Sequence, residues 1–171
     1  ARTAPYNPDR RADGLSIFLI DLREALGQGL EIQPLETMIN HATTQIFFDN
    51  LKIPADSLIG QEGQGFRYIL DGMNAERVLI AHESIGDARW FIEKATSYAK
   101  DREVFNRPIG QNQGVQFPIA KADAATEAAA LMAEKAAYLF ETGQPCGAEA
   151  NMAKMLAADA AWAAADTCVQ T

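Results

Sequence analysis

A chain of 171 residues, 48% of them hydrophobic, can bury a core of its own, in one domain or two small ones. Its formal net charge of −8, with both signs interspersed, argues against nucleic acid as the main partner, because no basic face is on hand to neutralise phosphates. Two cysteines, Cys146 and Cys168, without CxxC spacing give neither a disulfide framework nor a metal site, and no apolar run reaches the length of a membrane span or opens the chain as a signal peptide.

Residues 1–14 read as loop, with Pro5, Pro8 and the Asp13-Gly14 turn signal. Beginning at Ala1, mid-phrase in composition, the sequence reads as a piece of a larger protein. Residues 15–22 (LSIFLIDL) are a short apolar run, the pattern of a strand covered on both faces. Gly27-Gln28-Gly29 turns the chain, after which Leu30 and Ile32 alternate with Glu31 and Gln33 as in a half-buried strand stopped by Pro34. Residues 43–53 are β-rich, with Ile46 and Phe48 alternating against Gln45, Phe47 and Asp49, and Pro54 is expected to end that strand. Three strands this short do not make a stable sheet alone. They read as the tail of a β-domain whose beginning is missing.

At residues 60–65 the glycines are spaced GxxGxG, unlike the dinucleotide fingerprint, and follow no buried parallel strand; a flexible connector is the better reading than a phosphate cradle. The hydrophobic period then changes from two to 3.6, and residues 65–101 are expected to form one helix about 54 Å long, ended by Pro108 and Gly110. Gly72 and Gly86 are tolerated inside it and allow close approach. Alanine-dense helices follow over residues 115–142 and from 148 to the end, separated by Gly143, Pro145 and Gly147. Short connections make neighbours antiparallel, so the fold class is α+β: a β-tail over residues 1–60, then an incomplete up-down bundle of three long helices over residues 61–171, with a fourth helix expected beyond the end. Trp90, Trp162 and the methionines are expected in the core.

On the first long helix, Ile69, Met73, Arg77, Ile80 and Ser84 share a stripe, with Glu76 and Glu83 along one edge. A carboxylate and a guanidinium on such a face are either surface decoration, paired with each other, or a general base beside a buried site. Residues 101–113 form a second stretch rich in donors and flat surfaces. There Arg102 has a plain reading as a cation meeting the helix C-terminus, and Phe105 one as a core aromatic. His41 and His82 lack the spacing of a metal pair or a triad.

Several ordered segments carry a family resemblance. Phe47-Phe48-Asp49-Asn50-Leu51-Lys52-Ile53-Pro54 and then Leu58-Ile59-Gly60-Gln61-Glu62-Gly63-Gln64-Gly65-Phe66 resemble the end of the middle β-domain of acyl-CoA dehydrogenases. Ala75-Glu76-Arg77, Gly86, Asp101-Arg102-Glu103-Val104-Phe105-Asn106-Arg107-Pro108-Ile109 and Gln113 are similar to the start of that family's C-terminal helical domain. Departures lie in Ile39-Asn40-His41-Ala42-Thr43, which lacks the arginine and serines many members carry, in Asn106 where glycine is usual, and in His82 and Glu83 where many members have small residues.

The resemblance implies an FAD enzyme that oxidises an acyl-CoA thioester to the 2,3-enoyl-CoA. It implies Glu76 as the base that takes the α-proton, the alternative being a glutamate beyond Thr171. Arg102 and Phe105 would hold the FAD pyrophosphate and adenine, and Gln113 the same cofactor. Met73, Asn74 and Arg77 would lie near the acyl chain and the CoA moiety. The corner around Arg102 would reach the flavin of a neighbouring subunit, which implies a homodimer or homotetramer, with electron-transfer flavoprotein as electron acceptor and the bacterial cytoplasm or the mitochondrial matrix as location. Two other readings stay open: a related flavin monooxygenase or nitroalkane-oxidase-like enzyme, and a non-catalytic helical oligomerisation module.

Overall fold

Local side-chain chemistry cuts the first third of the chain into short pieces. In the computed structural model, which describes residues 1–39 and 42–171, β1 (Ile17–Phe18), β2 (Leu30–Pro34), β3 (Thr44–Phe48) and β4 (Leu58–Ile59) make two antiparallel pairs, β1 with β4 and β2 with β3. Leu30 stands opposite Phe48 and Ile32 opposite Ile46, so the pleat puts all four on one face. Gly29, at φ +100°, takes the chain into β2 where a Cβ would meet the Asp49 carbonyl oxygen at 2.5 Å.

Two expectations for this segment are corrected. Residues 15–22 do not form one buried strand: Ile17 and Phe18 alone make a ladder, Leu15 makes isolated bridges to Arg2 and Gln64, and Leu19 is exposed. The Asp21 carboxylate accepts the Arg23 N–H at 2.8 Å and starts the one-turn helix α1 (Leu22–Ala25), so a local cap ends the extended run. The third strand stops at Phe48 rather than at Pro54, because Asn50 at φ 51° turns the backbone out of the ladder first. The departure around Asn40 and His41 lies outside the described residues.

The chain divides into two compact units, Ala1–Ile69 and Leu70–Thr171. The second contains most of α2 (Gly65–Asp101) and all of α3 (Gln113–Glu141) and α4 (Gly147–Gln170). A hairpin of β5 (Glu103–Val104) and β6 (Arg107–Pro108) follows α2, and its turn residues Phe105 and Asn106 both have left-handed φ, 56° and 61°, the type I′ pattern. Between α3 and α4, Thr142 Oγ1 donates to the Tyr138 carbonyl at 2.7 Å and Gly143 takes φ +69°.

The helices run up and down. Lys135 near the end of α3 meets Glu149 at the start of α4 at 3.1 Å, whereas Ala122 near the start of α3 clusters with Ala164 near the end of α4 and with Ala88 of α2. Nearer the α3–α4 turn, Ala129, Ala133 and Ala136 pack with Ala150, Ala153 and Ala157 and with Val78, Ala81 and Ile85 of α2. The α+β arrangement of short strands and three long helices is therefore as the periodicities indicate. A backbone N–H hydrogen bond in the first turn of α4, and then Lys135, hold the Glu149 carboxyl below the usual range.

The core differs from expectation in what fills it. Trp162 is 79% exposed, and Trp90, Met38, Met152 and Met155 are exposed as well. Alanine faces of α3 and α4 meet, joined at the edge by partly buried Met132, and Trp162 and Met155 lie on the opposite face of α4. Among the described residues, no helix is long and apolar enough to cross a membrane.

Candidate functional site

The flank of α2 beside its core face holds the first group. Met73, Asn74 and Arg77 are half-buried, while Glu76 is exposed one residue before Arg77. Helical side chains lean towards the N-terminus, and the Arg77 guanidinium does so, with Nη1 donating to Asn74 Oδ1 at 3.4 Å. Asn74 in turn faces the start of α4: a Cβ on Gly147 would lie 3.8 Å from Asn74 Nδ2. The anticipated surface pair between Glu76 and Arg77 is thus not formed. Glu76 has no hydrogen bond or ion pair among the described residues, and Ile80, one turn on, presents an apolar neighbour that is part-exposed.

The second group sits where α2 ends. The Arg102 N–H donates to the Tyr98 carbonyl at 2.9 Å, and the Arg102 carbonyl accepts from the Ile109 N–H at 2.8 Å, which ties the hairpin back to the helix. Its guanidinium is exposed and has no partner among the described residues, at a helix end where a cation is also favoured by the macrodipole. Phe105 is 93% exposed, outside the core formed by the described residues. Its left-handed φ costs backbone energy that burial within those residues does not return. Gln113 opens α3 and is exposed.

Residues not anticipated brace this corner. Arg107 Nη2 donates to Asn112 Oδ1 at 2.7 Å, Asn112 Nδ2 to the Ile109 carbonyl at 3.0 Å and Gln116 Nε2 to the Gly110 carbonyl at 2.7 Å. The Asn112 position just before a helix was the available signal. Along α2, Glu76 and Arg102 are about 39 Å apart, so the structure brings the predicted residues together as two groups rather than one. His82 Nδ1 lies 2.8 Å from the Val78 carbonyl of its own helix. Among the described residues, no three His, Cys, Asp or Glu side chains are grouped to hold a metal ion.

Short paired strands followed by an alanine-packed antiparallel array, with a braced hairpin after its long first helix, define an α+β chain that ends in a helical bundle. Residues 63–171 match the family model of the acyl-CoA dehydrogenase C-terminal domain, and the chain belongs to the acyl-CoA dehydrogenase family. It is 37% identical over 166 residues to an acyl-CoA dehydrogenase of Bacillus subtilis, a match covering 95% of this chain and 43% of that protein. The solved glutaryl-coenzyme A dehydrogenase–glutaryl-CoA complex superposes with a TM-score of 0.85 at 30% identity, over 96% of this chain and 42% of that one. A solved structure of PigA with FAD and proline superposes with a TM-score of 0.87 at 28% identity, over 96% of this chain and 43% of that one. The chain thus spans less than half the length of these relatives.

Proposed function

We propose that the chain is part of an FAD-dependent acyl-CoA dehydrogenase in which Glu76 takes the α-proton of the thioester. The observation that carries this is the free Glu76 carboxylate, with its neighbour Arg77 drawn to Asn74 and an apolar flank of Met73 and Ile80 beside it. Covering that flank with substrate would strip water from the carboxylate and raise its basicity, which abstraction of a weakly acidic C–H requires. Arg77 and Asn74 supply a cation and an amide on the side of α2 turned towards the start of α4, and these would meet the anionic CoA moiety.

FAD, when bound, supplies the acceptor for the β-hydride. The corner around Arg102 fits part of such a cofactor: an unpaired guanidinium matches a diphosphate, and an exposed ring on a strained turn matches an aromatic base. Gln113 adds an amide at the same corner. The complete enzyme would form a homodimer or homotetramer in which the two groups on one copy serve different flavins, and electron-transfer flavoprotein would reoxidise it.

The test is anaerobic reduction of the flavin by acyl-CoA in the complete enzyme. Glu76→Gln should leave FAD and acyl-CoA binding in place and slow reduction by roughly 10²–10⁴-fold. Reduction near the wild-type rate would place the base elsewhere.

A further inference from the structure

The corner that carries Arg102, Phe105 and Gln113 rests on a hairpin too small to hold itself. β5 and β6 have two residues each, and so short a pair is marginal in water even before two left-handed residues are placed in its turn. Ties from outside have to fix it. At its base the Ile109 N–H donates to the Arg102 carbonyl, and Gly110 sits so close to α2 that a Cβ would lie 2.8 Å from the Ala99 carbonyl oxygen. Nearer the turn, β6 is held through the Arg107 side chain. That guanidinium forms no ion pair among the described residues and donates from Nη2 to Asn112 Oδ1 at 2.7 Å.

Asn112 gives up another bond to make this one. It stands at the N-cap of α3, where an asparagine oxygen ordinarily accepts an N–H of the first turn, yet its side chain makes no capping bond. Its Nδ2 donates to the Ile109 carbonyl at 3.0 Å, but that carbonyl already accepts the Asn112 backbone N–H at the same distance. The bond from Arg107 is the one for which the network holds no substitute. A local preference set aside in this way is expected where function requires it.

We infer, on the reading that FAD binds at this corner, that Asn112 is a positioning residue for the cofactor. Its side chain, diverted from capping α3, holds β6 through Arg107. Arg102 and Phe105 are thereby fixed relative to Gln113, the next residue along, and all three meet the cofactor in one geometry.

The experiment titrates FAD into the apo form of the complete enzyme, reading flavin fluorescence, and records the melting temperature of each apo variant. Asn112→Ala and Arg107→Ala should each raise the Kd for FAD by about tenfold, and the double variant should exceed either by no more than about twofold, because both remove the same bond. Asn112→Asp still accepts from Arg107 and should stay within about threefold of wild type. Asn112→Ser separates positioning from plain stability: serine caps a helix well but its arm is too short for Arg107, so the melting temperature should hold while FAD affinity falls as in Asn112→Ala. Should Asn112→Ala fail to fold, the aspartate and serine variants decide alone. Wild-type FAD affinity in Asn112→Ser, or fully additive losses from Asn112→Ala and Arg107→Ala, overturns the role of Asn112. If Arg102→Ala weakens FAD binding in that case, the cofactor reading of the corner stands; wild-type affinity in Arg102→Ala as well overturns both.

Discussion

Phe105 is the residue whose conformation says most about contact. Its neighbour Asn106 tolerates a left-handed backbone through its short polar side chain, but a phenylalanine does not, and the difference is about 1–2 kcal/mol. Phe105→Gly should therefore leave the melting temperature unchanged or raise it, while FAD retention on gel filtration falls. A variant that loses stability and keeps its flavin would show that the ring only packs within the protein. Arg102→Ala is expected to weaken FAD binding by about 1.5–3 kcal/mol, the worth of hydrogen bonds to a charged group, measured by flavin fluorescence on dilution. Unchanged retention would leave Arg102 as a cation on the helix dipole. The Glu149 carboxyl, held below its ordinary range, contributes stability above the unfolded carboxylate pKa and loses it as pH falls through the lower, folded value. Lys135→Ala should therefore flatten the acid side of the melting-temperature profile, and an identical profile would leave the pair without weight in stability.

At the scale of elements, the seam between α3 and α4 is made of side chains that have almost nothing to lose. Ala133 and Ala157 are fully buried and face helices at close range. Ala133→Leu should destabilise by about 1–3 kcal/mol through overpacking, whereas Ala124→Leu on an exposed position of the same helix should be close to neutral; thermal melts of both variants check this. This seam also explains what was legible in the sequence. The bounds of α2 could be read because a 3.6 period persists from Gly65 to Asp101, although the chain leaves the helix there for the β5–β6 hairpin and not at Pro108. Which faces turn inward could not, since α4 is apolar nearly all round, with Ala150, Ala153 and Ala157 on one side and Met155, Trp162 and Val169 on the other. Residue size pointed to the tryptophans as core, and helix separation decided against them. Residues 15–22 misled because a short apolar run does not reveal that Asp21 will cap a turn. Glu76 was legible as part of a face, but the lean of Arg77 to Asn74 is a rotamer, invisible in spacing. The hairpin is not legible in the sequence because Asn106 by itself is a departure at a glycine position, and only the left-handed backbone of Phe105 beside it makes the two residues one turn.

For the whole molecule, the decisive measure is the distance of about 39 Å between Glu76 and Arg102 on a single rod. If one copy offers its base to one flavin and its cofactor corner to another, no copy is self-sufficient. Co-refolding Glu76→Gln with Arg102→Ala in the complete enzyme should then recover activity that neither variant shows alone under limiting FAD, because a mixed oligomer contains sites with an intact Glu76 from one copy and an intact Arg102 from the other. Activity no greater than the average of the two separate preparations would place both residues in the same site. In genetic terms, such sharing would put lesions at Glu76 and at Arg102 in different complementation groups within one gene. Two defective alleles could restore each other in a cell carrying both. A single Arg102 allele beside a normal one would instead impair the site of its healthy neighbour, so that the injury appears on a subunit whose own sequence is unaltered.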